Sequence, residues 1–334
     1  MKIKGIFASV LATAIAGSAF AETKTTFQNN LHSGILVSPA QYNQVSGAKT
    51  DLSIGFDQLS AEKSGTNGFD AEANDTNLRA TGIYSFTNIG LKAGMDVAIG
   101  STTIENNSTN VNYDSSMMAI APVALYTAND MFTVAMQYTY ATEESDQAKK
   151  TTTLTEDTQD VSYGIFTPAF LVSMGAWEAG LVYSTEVDEE ATNSDDLPLE
   201  YAAEWKIHGR YSVMPELALG GYVGQAMWSS FDADAVTGKK EDDQTTVAAN
   251  AQWTMDALKL EGILAWNSDF YGDNANMSTD NISTIMVEAG ADYAVAPTAS
   301  VGGALAYTTG SDSANNVDYD VNTLGVTVRG NLMF

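Results

Sequence analysis

The chain has 334 residues, sets 42 acidic against 15 basic side chains for a formal charge of −27, and contains no cysteine. Such acidity repels phosphate and excludes a nucleic-acid partner. The lack of thiols excludes a disulfide framework and a cysteine metal site.

Residues 1–21 read as a signal peptide. Lys2 and Lys4 form a basic start, Ile6 to Ala19 is an uncharged and mainly apolar run, and Ala19-Phe20-Ala21 is an A-x-A cleavage site. The run falls short of the ~20 residues of a spanning helix. Cleavage before Glu22 removes two lysines and no acid, taking the charge from −27 to −29. Residues 22–48 follow as an N-terminal segment. Leu31, Ile35, Leu36 and Val37 make it too apolar for a free tail and suit a partial plug in the lumen or added edge structure on the turn side; a floppy linker is the alternative.

From residue 49 to 334 the chain alternates apolar and polar side chains, the period of a β-strand. In YAAEWKIHGRYSV (201–213), Trp205, Ile207, Tyr211 and Val213 alternate with Glu204, Lys206, His208 and Arg210. MFTVAMQYTY (131–140) sets Phe132, Val134, Met136, Tyr138 and Tyr140 against Thr133, Ala135, Gln137 and Thr139. Two stretches, 113–127 and 161–173, are apolar on both faces, which leaves their register open. Residues 161–177 are uncharged, but Gly164, Pro168 and Gly175 argue against a helix there. Near the C-terminus, a bulge at Asn322 is expected to bring Tyr319 and Leu324 to one face.

Connections of two kinds take turns. Tight ones fall near residues 87–88, 128–130, 174–175, 214–215, 255–256 and 296–298. Long polar ones fall near 58–75, 101–112, 142–157, 188–198, 231–244, 271–281 and 310–317. Thirteen connections make fourteen strands. Short turns on one rim and long loops on the other are the mark of an all-β, transmembrane, antiparallel up-and-down β-barrel. Aromatics fall into two belts on the apolar face. Phe86, Phe132, Trp177, Tyr211, Trp253 and Tyr293 lie near the tight turns, and Tyr140, Tyr183, Trp228, Trp266 and Tyr307 toward the loops.

The final TLGVTVRGNLMF, with Leu324, Val326, Val328, Leu332 and terminal Phe334, resembles the closing strand of Gram-negative outer-membrane barrels. With the signal peptide and the alternating strands it makes the whole chain resemble the porin-like proteins. That resemblance implies an outer-membrane location, short periplasmic turns, long extracellular loops and recognition of Phe334 by the barrel-assembly machinery. It implies contact with outer-membrane lipid and lipopolysaccharide and leaves the oligomeric state open.

With the apolar face toward lipid, the charged face encloses the lumen. Thirteen side chains are the candidate lining residues. Arg79, Asp96, Glu204, Lys206, His208 and Glu288 fall on or below mid-height, and Lys92, Glu178, Arg210, Lys259, Glu261, Asp292 and Arg329 nearer the tight turns. Singly, each reads better as a salt-bridged strut than as a selectivity element; together they line a polar wall. The long loops are expected to carry Glu143, Glu144, Asp146, Glu156, Asp157, Glu189, Glu190, Asp195, Asp196, Asp232, Asp234, Glu241, Asp242 and Asp243. Such a ring of acids concentrates cations, and divalent ions would bridge it to itself or to lipopolysaccharide. No segment has the spacing of a calcium loop, so no cofactor or metal ligand is assigned. The histidines are His32 and His208, and neither G-x-S-x-G nor H-E-x-x-H occurs, so an enzyme is not expected.

The expectation is a porin with a water-filled, weakly cation-selective channel for ions and small polar solutes. One alternative is a fatty-acid-type barrel for hydrophobic solutes. It would need an apolar cleft and a lateral opening, for which Pro122, Pro168 and the glycines of residues 161–175 are candidates. A structural or adhesive barrel without a pore is the other.

Overall fold

The computed structural model describes residues 48–63, 70–86, 89–106, 111–129, 131–149, 157–192, 200–230, 240–271, 281–314 and 317–333. The expected signal peptide, the segment before residue 48, Phe334 and the centres of the long loops lie outside them.

Fourteen strands follow one another: β1 (Ala48–Lys63), β2 (Asp70–Phe86), β3 (Leu91–Asn106), β4 (Val111–Thr127), β5 (Phe132–Lys149), β6 (Asp157–Met174), β7 (Trp177–Thr192), β8 (Glu200–Met214), β9 (Leu217–Ser230), β10 (Lys240–Met255), β11 (Leu258–Tyr271), β12 (Asn281–Ala296), β13 (Ala299–Ala314) and β14 (Val317–Met333). Each pairs antiparallel with its neighbours, and β1 pairs with β14, from Lys49↔Met333 to Lys63↔Tyr319, so the sheet closes on itself. Closure removes the unpaired edges that an open sheet would present to lipid.

The alternation settles into two faces. Met95, Phe132, Met136, Ile207, Leu264, Leu305 and Val328 are exposed on the outside. Arg79, Asp96, Thr133, Gln137, Glu261 and Arg329 are buried on the enclosed side. A continuous band of large apolar side chains cannot be left in water, and it fits the hydrocarbon of a membrane. No helix among the described residues is long and apolar enough to cross a membrane. Both aromatic belts stand on the outer face, Trp228 excepted, whose side chain lies outside the description.

Two expectations need correction. The strands run 14 to 18 residues, longer than the alternation indicates, and they consume much of the predicted loops. Residues 101–106 and 310–314 are strand, and Glu143, Glu144, Asp146, Asp157, Glu189, Glu190, Glu241, Asp242 and Asp243 sit in strands near the loop rim. Next, Asn322 lies in an uninterrupted register with both neighbours, so no bulge occurs there. Its side-chain oxygen accepts hydrogen bonds from Tyr307 Oη (2.9 Å) and Thr309 Oγ1 (3.0 Å), which lets an amide stand on the outer face. The shifts of register fall between Gly164 and Ile165, Tyr201 and Ala203, Ser212 and Met214, and Ala294 and Ala296.

The tight-turn rim is stitched from hairpin to hairpin. Ser212 N donates to Ala176 O, Thr254 N to Glu216 O and Ala294 N to Ala257 O, at 2.7–2.8 Å. Gly90 (φ +67°) and Gly175 (φ +60°) take the left-handed conformation that a side chain disfavours. A Cβ at Gly90 would also lie 2.7 Å from Thr127 O, whereas one at Gly175 meets nothing within 4 Å. Gly90→Ala is therefore expected to destabilise the folded barrel clearly more than Gly175→Ala, whose cost is the ~1 kcal/mol of backbone preference alone. Urea unfolding in detergent, followed by tryptophan fluorescence, reads the difference.

Candidate functional site

All thirteen charged or imidazole side chains named above stand on the enclosed face, buried or half-buried. Most are joined in pairs. Arg79 on β2 pairs with Asp96 on β3, which also accepts from Thr81 Oγ1 at 3.0 Å. Glu204 and Lys206, two apart on β8, meet at 2.8 Å. Arg210 donates to Glu178 Oε2 on β7 (3.2 Å) and to Gln252 Oε1 on β10 (3.3 Å). Lys92 and Glu288 are buried and Lys259 is half-buried.

One of these links spans four strands, β11 to β14. Arg329 on β14 grips Asp292 on β12 through Nε–Oδ1 (2.6 Å) and Nη2–Oδ2 (2.7 Å), and Nη2 lies 3.6 Å from Glu261 Oε2 on β11. The forked guanidinium suits a carboxylate. The intervening strand, β13, offers Gly302, opposite Asp292 on one side and Arg329 on the other. A Cβ at Gly302 would overlap Asp292 Oδ1 and Ala291 O, so the glycine makes room for the bridge.

Between the charged groups the inner wall carries uncharged polar side chains, such as Thr133, Gln137 and Thr284, and two apolar patches. Ile83, Val123, Leu125, Ala135, Ala169 and Val182 form one patch across β2 to β7. Tyr222, Ala248, Ile263, Ala265 and Met286 form another across β9 to β12. The stretches that read as apolar on both faces supply much of the first patch. Val123 and Leu125 of β4, and Ala169 and Leu171 of β6, point inward, while Ile120, Tyr126, Phe166 and Phe170 point outward. A row of directly opposed positions, Leu171–Gly180–His208–Tyr222–Ala248–Ala265–Met286, connects the two sides of the barrel. An inner wall that is polar throughout is therefore not what the chain builds. Among the described residues no group of acids and histidines is arranged to hold a metal ion.

The prolines singled out for a lateral opening do interrupt the ladders. Pairing lapses at Ala121–Pro122 between β4 and β5, and at Thr167–Pro168 between β6 and β7, because proline has no N–H to give. At the second lapse Thr167 Oγ1 donates to Ser184 Oγ (3.0 Å) and draws the wall together. A longer interruption lies between β7 and β8. The β7–β8 ladder runs from Trp177↔Tyr211 to Thr185↔Ala203 and ends, although both strands continue toward the loop rim. Register shifts flank that end on both outer sides.

This geometry has relatives among solved structures. A FadL homologue of Pseudomonas aeruginosa superposes with a TM-score of 0.66 at 8% identity, over 93% of this chain and 96% of that one. The fold is that of Gram-negative outer-membrane β-barrels. The toluene transporter TodX of P. putida gives 0.63 at 9% identity, over 91% and 94% of the two chains. The toluene transporter TbuX of Ralstonia pickettii gives 0.54 at 10%, over 86% and 90%. At such identities the likeness is one of architecture. Neither a protein-family model nor a curated protein sequence matches the chain.

Proposed function

We propose that this chain is a passive outer-membrane channel for small apolar molecules, with monoaromatic hydrocarbons as the substrate class. It is exported by its signal peptide, inserted through its C-terminal strand, and has no catalytic role. The observation that carries the reading is the pair of inward apolar patches, with the row from Leu171 through His208 running into the second. A water-filled pore needs no such surface, whereas an apolar solute needs a wall it can touch without leaving charges unsolvated. The paired charges favour the same reading, since groups that neutralise one another brace the wall and give a passing ion little to bind. The early end of the β7–β8 ladder supplies a place where an apolar solute could leave the wall sideways. The architecture shared with toluene transporters agrees with this.

The test is uptake of labelled toluene by a Gram-negative host stripped of its own hydrophobic-solute channels, beside planar-bilayer recording of the purified barrel. Expression of this chain is expected to raise the initial uptake rate severalfold over vector, with little steady ion current. Vector-level uptake together with stepwise, cation-selective currents would return the protein to the porins.

A further inference from the structure

His208 is the odd member of the inner row. Its imidazole is 3% exposed, and neither Nδ1 nor Nε2 has a hydrogen-bond partner. The ring lies across β7 at Gly180, where a Cβ would overlap His208 Cε1 and Leu171 Cδ2. It is thus laid against Leu171 on one side, and Tyr222 stands directly opposite on the other. The charged neighbours on its own strand are engaged: Lys206 with Glu204, and Arg210 with Glu178 and Gln252. A buried imidazole with both nitrogens unmatched costs stability unless something supplies the missing contact. A neutral imidazole has one donor and one acceptor to give.

We infer that His208 is the polar contact of a binding site on this row for small aromatic molecules bearing one hydroxyl, the phenols. The ring of such a ligand displaces the side chains that cover the apolar row, and its hydroxyl meets an imidazole nitrogen. This rests on the channel reading and adds to it a preference that plain hydrocarbon contact cannot produce.

The probes are 4-fluorophenol and fluorobenzene, followed by fluorine NMR on the purified, folded full-length barrel in detergent, against barrel-free micelles. The ratio of their affinities is expected to favour 4-fluorophenol in the native protein and to fall about fivefold in His208→Phe, the size of one net hydrogen bond. His208→Gln keeps a donor and an acceptor and should restore most of the ratio. The imidazole Cε1–H resonance that disappears in His208→Phe should move with 4-fluorophenol and stay still with fluorobenzene. If His208→Phe fails to fold, the resonance and His208→Gln decide. An unchanged ratio, or a resonance that follows both probes equally, overturns the inference and leaves the channel reading standing. Absence of binding by both probes removes the channel reading and this inference together.

Discussion

Arg329→Met is expected to be the most destabilising substitution on the enclosed face, costing about 3–5 kcal/mol of unfolding free energy, the range for removing one partner of a buried ion pair. The side chains of Arg329 and Asp292 are 1% and 6% exposed, so water does not step in when the guanidinium is gone. Asp292 and Glu261 would then lose the guanidinium that lies between them, with Glu288 four residues from Asp292 on the same face of β12. Lys206→Met is the contrast. Lys206 and Glu204 are 15% and 20% exposed and share one strand, so solvent covers part of the loss. Urea unfolding in detergent or lipid vesicles should separate the two variants widely, with Gly302→Ala falling near Arg329→Met, since its Cβ would occupy the space the bridge crosses. Equal midpoints for Arg329→Met and Lys206→Met would mean that the four-strand bridge contributes nothing special.

That bridge also shows which parts of the molecule could be read beforehand. A charge at every second place of an otherwise greasy strand has one side to go to, so Arg329, Asp292 and Glu261 could be put on the inner face from spacing alone. Their mutual contact could not, because it depends on the stagger of four strands and on Gly302 lying between them. The strand count was legible wherever one face met lipid, as in residues 131–140. It blurred near the loop rim, where Glu143, Glu189 and Asp242 sit on strands that stand above the membrane. The two-residue hydrophobic period fades from the sequence there, and backbone pairing alone marks the strands. The inner apolar wall was hidden for the opposite reason. Val123 and Leu171 point inward beside Ile120 and Phe170, which point outward, and hydropathy cannot tell them apart. The doubtful register of residues 113–127 and 161–173 was itself the trace of that wall. Asn322 misled in a third way: a bulge there was expected to bring Tyr319 and Leu324 to one face, but the register runs through unbroken and Tyr307 and Thr309 satisfy the amide in place.

The membrane reading rests on the outer face, and Leu305→Arg tests it by sign as well as size. Leu305 is 60% exposed near the middle of β13, with no packing partner to lose on the outside. If water lay there, arginine would be tolerated within about 0.5 kcal/mol, as surface substitutions usually are. If hydrocarbon lies there, the same change costs about 2–4 kcal/mol at the bilayer midplane. Val301 shares that face but lies two residues into the strand from the tight turn. A crossing strand needs ~9–11 residues, so Val301 sits close to the interface, where arginine costs about 0–1 kcal/mol. The two variants, unfolded reversibly from lipid vesicles, should therefore differ by about 2 kcal/mol or more, with Leu305→Arg the worse. In detergent micelles, which deform around a charge, the gap should narrow. A depth profile of this kind has no counterpart in a water-soluble barrel, because bulk solvent has no midplane, so a flat result across the two positions would place water where this fold requires oil.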